Sequence, residues 1–430
     1  MPAARQAGTG LRRSLGLPSL TFYGVGLILG AGIYSIIGAA ASEAGDGLWL
    51  AFLLGAAVAL LTGLSYAELA AMYPKAGAEY TYASHAFPRR PWVASSTGYI
   101  LLGAGLATAA TVAAAFGGYL RVFLGWPSMG GALAILAACA LLAVAGIRES
   151  TWANILMTTL EAGGLALVIF LAFRHADIAG AVGLAPPASL AAAGALVFFA
   201  YLGFEDLANL TEEAKRPERQ VPQAIFLSVA ISAVLYALVG VAALALAGQE
   251  ALAGSESPLA DAAAAVDPRY GAALAALALA TTANTVLITL VALSRMLLAL
   301  ARGGHAPKAL RSVLPSRGTP LAATLAVVAG AAAFVPFGNV HALGSVASLA
   351  TLLAFSIVNL VVIRLRFRDP GKRRPFRVPL SAGRMPLLPL LGLLGALAFA
   401  SQLGWPAIAA GAAMAAAALA VAYLIERRRS

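Results

Sequence analysis

Apolar residues in this chain neither alternate nor recur in narrow stripes; they run almost unbroken for about 18 to 25 positions, then give way to short clusters of charge, proline and glycine. At ~1.5 Å per helical residue such a run matches the ~30 Å hydrocarbon core of a bilayer. The pattern predicts about twelve transmembrane helices, near residues 20–43, 47–71, 92–120, 130–147, 151–174, 189–210, 222–248, 272–302, 319–337, 341–365, 385–402 and 405–425. Lipid offers the backbone no hydrogen-bond partner, so repeated long runs are read as helices, and the class is an all-α polytopic membrane protein. The stretch 249–269, with Glu250, Glu256, Asp261, Asp267, Pro258 and Pro268, is long enough for a short surface helix between two spans.

Charge gives the spans a direction. An even number of crossings places both termini on one side, and the loops on that side hold 26 of the 29 lysines and arginines; Arg121, Arg174 and Arg269 are the other three. A wrong span count would scramble this bias, because each lost or added helix swaps every later loop. The basic side is expected to be cytoplasmic, with residues 1–19 and 426–430 as cytoplasmic ends and the chain in the cell (inner or plasma) membrane. Arg5, Arg12 and Arg13 precede a run too long for a signal-peptide core, which is therefore read as an uncleaved first span.

Composition agrees. Of 430 residues 61% are hydrophobic and 11% charged, with a mean hydropathy of +0.86, against roughly 25% charged in soluble domains. The net charge of +11 does not point to nucleic acid, since the basic residues sit in loops and form no face interleaved with aromatics. The single Cys139 has no partner for a disulfide, and four scattered histidines have no metal-ligand spacing.

Two spans carry glycine where a helix would prefer other residues. In the first, Gly24, Gly26, Gly30, Gly32 and Gly38 cluster, and Gly30-Ala31-Gly32-Ile33-Tyr34 falls near mid-membrane. Each glycine weakens a helix by about 1 kcal/mol relative to alanine, yet Gly26 and Gly30 also suit close helix packing. The sixth span, Phe198-Phe199-Ala200-Tyr201-Leu202-Gly203-Phe204-Glu205-Asp206, places a glycine and two acids inside a membrane segment. Spans one to five and six to ten have similar lengths and opposite orientation, and interruptions at corresponding places in two such halves point to the binding site of an inverted-repeat transporter. Unwinding frees N–H groups at one half-helix and C=O groups at the other. A zwitterion supplies partners for both: the N–H groups around Gly30, Ala31 and Gly32 for a carboxylate, the carbonyls of Ile28, Phe199, Ala200 and Leu202 beside Gly203 for an ammonium group.

Four stretches carry a family likeness: Gly30 to Tyr34; Tyr66-Ala67-Glu68-Leu69 with Pro74-Lys75-Ala76-Gly77 and Tyr80-Thr81-Tyr82; Phe198 to Glu205 continuing to Glu212-Glu213, Pro217, Arg219 and Pro222; and Ser294-Arg295 with Ala301-Arg302-Gly303-Gly304, Pro307 and Arg374-Pro375-Phe376-Arg377-Val378-Pro379. Together they resemble the amino acid, polyamine and organocation transporter superfamily, in particular its bacterial amino acid permeases and cationic amino acid transporters. The resemblance spans residues 10 to about 425. It implies a five-plus-five inverted repeat of the LeuT type (residues 20–175 and 189–365) with two C-terminal helices (385–425), working by alternating access. It further implies secondary active transport of amino acids by proton symport or exchange, with a polyamine or organic-amine permease as the alternative.

One position departs from the family pattern. Glu161 stands in helix 5 where proton-coupled and exchanging relatives often have lysine, and an ionisable group at that depth costs at least about 2.5 kcal/mol on insertion scales. It is expected beside the helix 1 break and the hydroxyls of Thr285 and Thr289, titrating or pairing with a cation; protonation and packing is the plainer alternative. Glu205 matches the acidic position of the family motif and is expected in a local network or gate, while Glu68 and the pair Glu212-Glu213 beside Lys215 and Arg216 suit cytoplasmic ion pairs. No catalytic or metal cluster marks an enzyme, the unlike broken helices argue against a channel, and no G-x-x-x-x-G-K-[ST] loop marks an ATPase. The expected partners are a small amino-acid-like substrate and the bilayer, with no nucleic acid; no cofactor is expected beyond a proton or sodium as coupling ion, and the assembly is a monomer or a dimer.

Overall fold

The computed structural model describes residues 15–73, 78–145, 151–211, 214–314, 319–337 and 340–427. The first crossing is two helices, α1 (Leu17–Leu29) and α2 (Ala31–Ala44), separated at Gly30, and α3 (Leu48–Met72) is the second. The short α4 (Ala78–Ala86) leads to α5 (Pro91–Leu124), α6 (Ser128–Ala145) and α7 (Thr151–His175). The sixth crossing comprises α8 (Pro187–Val197) and two 3-10 segments, Phe198–Tyr201 and Phe204–Leu210, parted at Leu202 and Gly203. There follow α9 (Pro217–Ala247), the short α10 (Gln249–Gly254) and α11 (Pro258–Ala264), then α12 (Pro268–Arg302), α13 (Leu321–Phe334) and α14 (Val340–Arg368). A two-stranded hairpin, β1 (Ser381–Ala382) and β2 (Met385–Pro386), precedes α15 (Leu387–Gln402) and α16 (Trp405–Arg427).

Seven stretches are long and apolar enough to cross a bilayer, α2 and α3 counting as one; α1, α6, α8, α13 and α15 are shorter apolar helices. Counting the broken first and sixth segments once each, the described residues form twelve apolar helical segments, the all-α polytopic class expected from the runs. Many of these helices open on proline, whose missing N–H costs nothing at a first-turn position: Pro91, Pro187, Pro217 and Pro268.

Each of the first three crossings packs against the one five places later: α2 on α8, α1 on Phe204–Leu210, α3 on α9 and α5 on α12. Small residues allow the approach, as where Gly24 lies against Leu207 of the sixth crossing, and the same helix sets Gly24 against Ser228 of α9 and Gly26 against Thr158 of α7. A parallel bridge between Leu15 and Ala214, with the Lys215 N–H donating to the Leu15 carbonyl at 2.9 Å, ties the start of the first crossing to the end of the sixth.

The stretch 249–269 departs from the expected surface helix. It forms two helices, and Leu259, Ala260, Ala262 and Ala263 of α11 are buried. A Cβ on Gly38 would lie 2.6 Å from the Leu252 carbonyl oxygen, so this loop sits directly on α2. At the opposite, arginine-rich end, the buried Glu68 accepts hydrogen bonds from Arg366 Nε and Nη2 at 2.9 and 2.6 Å, from Arg374 Nε at 3.1 Å and from the Val378 N–H at 2.8 Å. The ion pair foreseen for Glu68 is thus made with α14 and the loop after it. Glu212 and Glu213 lie outside the described residues, as do Arg5, Arg12 and Arg13.

Candidate functional site

The two interrupted crossings meet at their breaks. A Cβ on Gly32 would lie 2.7 Å from the Ala200 Cα, so the first turn of α2 rests on the backbone of Phe198–Tyr201 and only glycine fits. Gly203 has φ +118°, a conformation side chains avoid, and a Cβ there would be 2.6 Å from the Leu27 carbonyl oxygen. Ile28, Ala31, Phe199 and Ala200 are buried, while Gly30, Gly32, Leu202 and Gly203 are half-buried.

Three of the freed backbone groups, the Ala31 N–H and the Ile28 and Ala200 carbonyls, have side-chain partners. The Ala31 N–H, at the start of α2, donates to Thr285 Oγ1 of α12 at 3.2 Å. On the carbonyl side, the Tyr236 hydroxyl of α9 donates to the Ile28 oxygen at 2.6 Å and lies 3.2 Å from the Ala200 oxygen. One hydroxyl therefore sits between carbonyls of both broken crossings. The Phe199 carbonyl accepts the Leu202 N–H at 3.3 Å, and the Gly203 N–H donates to Glu205 Oε2 at 2.9 Å. The Glu205 carboxylate thus points back at the backbone of its own turn.

Glu161 is 2% exposed, on the face of α7 that also carries Thr158 and Gly164. Thr158 fills the space left by Gly26 of α1, and Gly164 lies against the Tyr34 hydroxyl of α2. That hydroxyl donates to the Glu161 carbonyl oxygen at 3.3 Å, and Tyr119 of α5 donates to the Tyr34 carbonyl at 3.0 Å. The Glu161 carboxyl lies within electrostatic reach of Tyr34 and of Tyr236, the tyrosine at the first break. The threonine hydroxyl beside it is that of Thr281, one turn before Thr285. Thr285 caps α2, and Thr289, another turn on, is half-buried.

Beyond the second break, Glu205 neighbours Asp206 and Glu79 of α4. Tyr66 of α3 donates to Glu79 Oε1 at 2.9 Å. Burial pushes the Glu79 carboxyl above its ordinary value and Asp206 adds to the rise, while its own backbone and the Tyr66 hydroxyl oppose it. No cluster of three metal-ligating side chains occurs among the described residues.

Sequence reasoning missed Tyr236, Tyr34, Tyr119 and Thr281. A tyrosine in an otherwise aliphatic crossing is itself a signal, because a hydroxyl in hydrocarbon must find an acceptor.

Residues 15–425 match the family described as amino acid permease. An uncharacterized transporter of Mycobacterium tuberculosis is 32% identical over 441 aligned positions, covering 97% of this chain and 93% of its own. The branched-chain amino acid permease BcaP of Bacillus subtilis is 27% identical over 452 positions, 100% and 96% of the two chains. Cationic amino acid transporter 4 of Homo sapiens is 32% identical over 408 positions, 88% and 63%.

Proposed function

Since the chain belongs to the amino acid permease family, and is thus a multi-pass membrane transporter and not an enzyme, we propose that it is a secondary active transporter of amino acids working by alternating access. The observation that carries this reading is the Tyr236 hydroxyl between the Ile28 and Ala200 carbonyls. It occupies the place that a substrate ammonium group, with three donors, would fill better. The α-carboxylate then takes the N–H groups at Gly30, Ala31 and Gly32, at the positive end of α2, displacing the Thr285 hydroxyl from Ala31.

In this reading the halves 20–175 and 189–365 are inverted repeats, a relation supported by the pairing of each of the first three crossings with the one five places later. Residues 385–425 pack as two added helices, both termini are cytoplasmic, and the membrane is the cell membrane. The breaks recognise what all amino acids share, and Glu161 is the ionisable coupling group, driving proton symport or exchange. A second reading, an amine-bearing side chain or polyamine as substrate, is favoured by the buried Glu161 carboxyl within electrostatic reach of Tyr236 at the break.

Purified protein screened by thermal shift against amino acids and polyamines, followed by proteoliposome uptake with imposed pH and sodium gradients, tests both. Neutral amino acids stabilising the protein support the first reading and cationic ones the second; stabilisation by no amine-containing solute refutes the substrate class. Glu161→Gln is expected to flatten the pH dependence of uptake, and an unchanged profile removes Glu161 from the coupling step.

A further inference from the structure

Two adjoining cavities of about 450 and about 540 Å³ open on the flank of α14, away from the broken helices, and share Phe87, Arg364 and Arg368. The first is an apolar trough walled by Leu360, Ile363 and Phe367. Leu360 is 44% and Phe367 48% exposed, so this wall faces outward from a crossing helix, where lipid chains lie. The second is a basic cup completed by Pro88, Arg89 and Arg90, at the start of α5.

The four guanidinium groups are unevenly engaged. Arg364 lies over the Phe87 ring, 4.5 Å from its centre, and its Nε donates to the Ala86 carbonyl at 2.9 Å. Arg368 Nη1 donates to the His85 and Ala86 carbonyls, each at 3.2 Å. These bonds cap the end of α4 with neutral carbonyls and leave the charges uncompensated. Among the described residues Arg368 alone has a carboxylate near it, Asp369 at 3.9 Å on an exposed surface, and no acid pairs with Arg89, Arg90 or Arg364.

A cup of four arginines with one distant carboxylate calls for an anion, and guanidinium groups match phosphate oxygens in shape as well as charge. A soluble phosphate would fill the cup and leave the trough empty. A phospholipid fills both. We propose that this flank is a binding site for an anionic phospholipid, its phosphate among Arg89, Arg90, Arg364 and Arg368 and an acyl chain along Leu360, Ile363 and Phe367. Bound there, the headgroup bridges the start of α5 to the end of α14.

The test is native mass spectrometry of the full chain in detergent, titrated with phosphatidylglycerol and phosphatidylcholine of equal chain length, with glycerol 3-phosphate as the soluble competitor. Phosphatidylglycerol is expected to be retained in preference, glycerol 3-phosphate not to displace it, and Arg89→Gln/Arg90→Gln to weaken the preference roughly fivefold per arginine. Arg89→Gln alone, with a smaller loss, serves if the double variant unfolds early in a thermal scan. Equal retention of the two lipids, or a preference unchanged in the variants, overturns the site; displacement by glycerol 3-phosphate reassigns the cup to a soluble anion.

Discussion

A tyrosine hydroxyl has one proton to give, and Tyr236 sets it between two backbone oxygens from helices 172 positions apart in sequence, Ile28 and Ala200 (200 − 28). Tyr236→Phe strips the shared donor from both carbonyls while keeping the ring. Leaving a buried acceptor unpaired costs about 1–3 kcal/mol, so the substrate-free variant is expected to unfold at lower temperature than the parent. If a substrate ammonium takes over these carbonyls, saturating substrate restores most of the lost stability, and the shift on adding substrate is larger in the variant. An equal deficit with and without substrate would mean that the hydroxyl stays on the carbonyls in the bound state. Its place in an aliphatic crossing marks Tyr236 as needing an acceptor, but nothing local says which, because its partners lie on other helices. The Glu161 neighbour was foreseen only to within a turn: Thr281, Thr285 and Thr289 recur every four residues along one stripe of α12, and which of them stands level with α7 depends on how far the two helices slide past each other.

At the scale of the element, a glycine inside a crossing can mean a break, a close approach or nothing, and the structure separates the three. Gly203 combines a positive φ with a blocked Cβ position, Gly32 has the blocked Cβ position without a positive φ, and a Cβ on Gly163 of α7 meets nothing within 4 Å. Gly203→Ala is expected to cost at least about 1–3 kcal/mol in backbone strain and to push the Leu27 carbonyl aside, abolishing uptake even where the protein is recovered folded. Gly163→Ala is expected to leave uptake intact and to raise stability by up to about 1 kcal/mol through helix propensity. Paired thermal scans and uptake assays decide it, and similar behaviour of the two variants would contradict the break at Gly203. The crossings were legible because apolar length and first-turn prolines are local signals. The seating of α10 and α11 on α2 was not, since the charged residues among 249–269 suggested exposure while the buried Leu259, Ala260, Ala262 and Ala263 give only a short apolar face.

Over the whole molecule, the asymmetry of charge makes the sharpest claim. α12 has 35 residues, about 52 Å at 1.5 Å per residue, ample for a ~30 Å hydrocarbon core, with Arg269 at its start and Lys308 just beyond its end, both exposed. Glu68 with its two arginines reinforces the direction: a buried carboxylate holding Arg366 and Arg374 fastens α3, α14 and the following loop at the basic end, and an end so charged does not readily cross the membrane during insertion. Cys139 is the single cysteine of the chain and is buried, so introduced thiols can be read against a low background. In intact cells a membrane-impermeant maleimide is expected to label Arg269→Cys and to leave Lys308→Cys unmodified until the membrane is permeabilised. Labelling of both from outside would mean that α12 does not cross, and the reverse pattern would invert the whole chain. An inverted chain would also move the phospholipid cup, whose arginines lie at the start of α5 and the end of α14, from the inner to the outer leaflet.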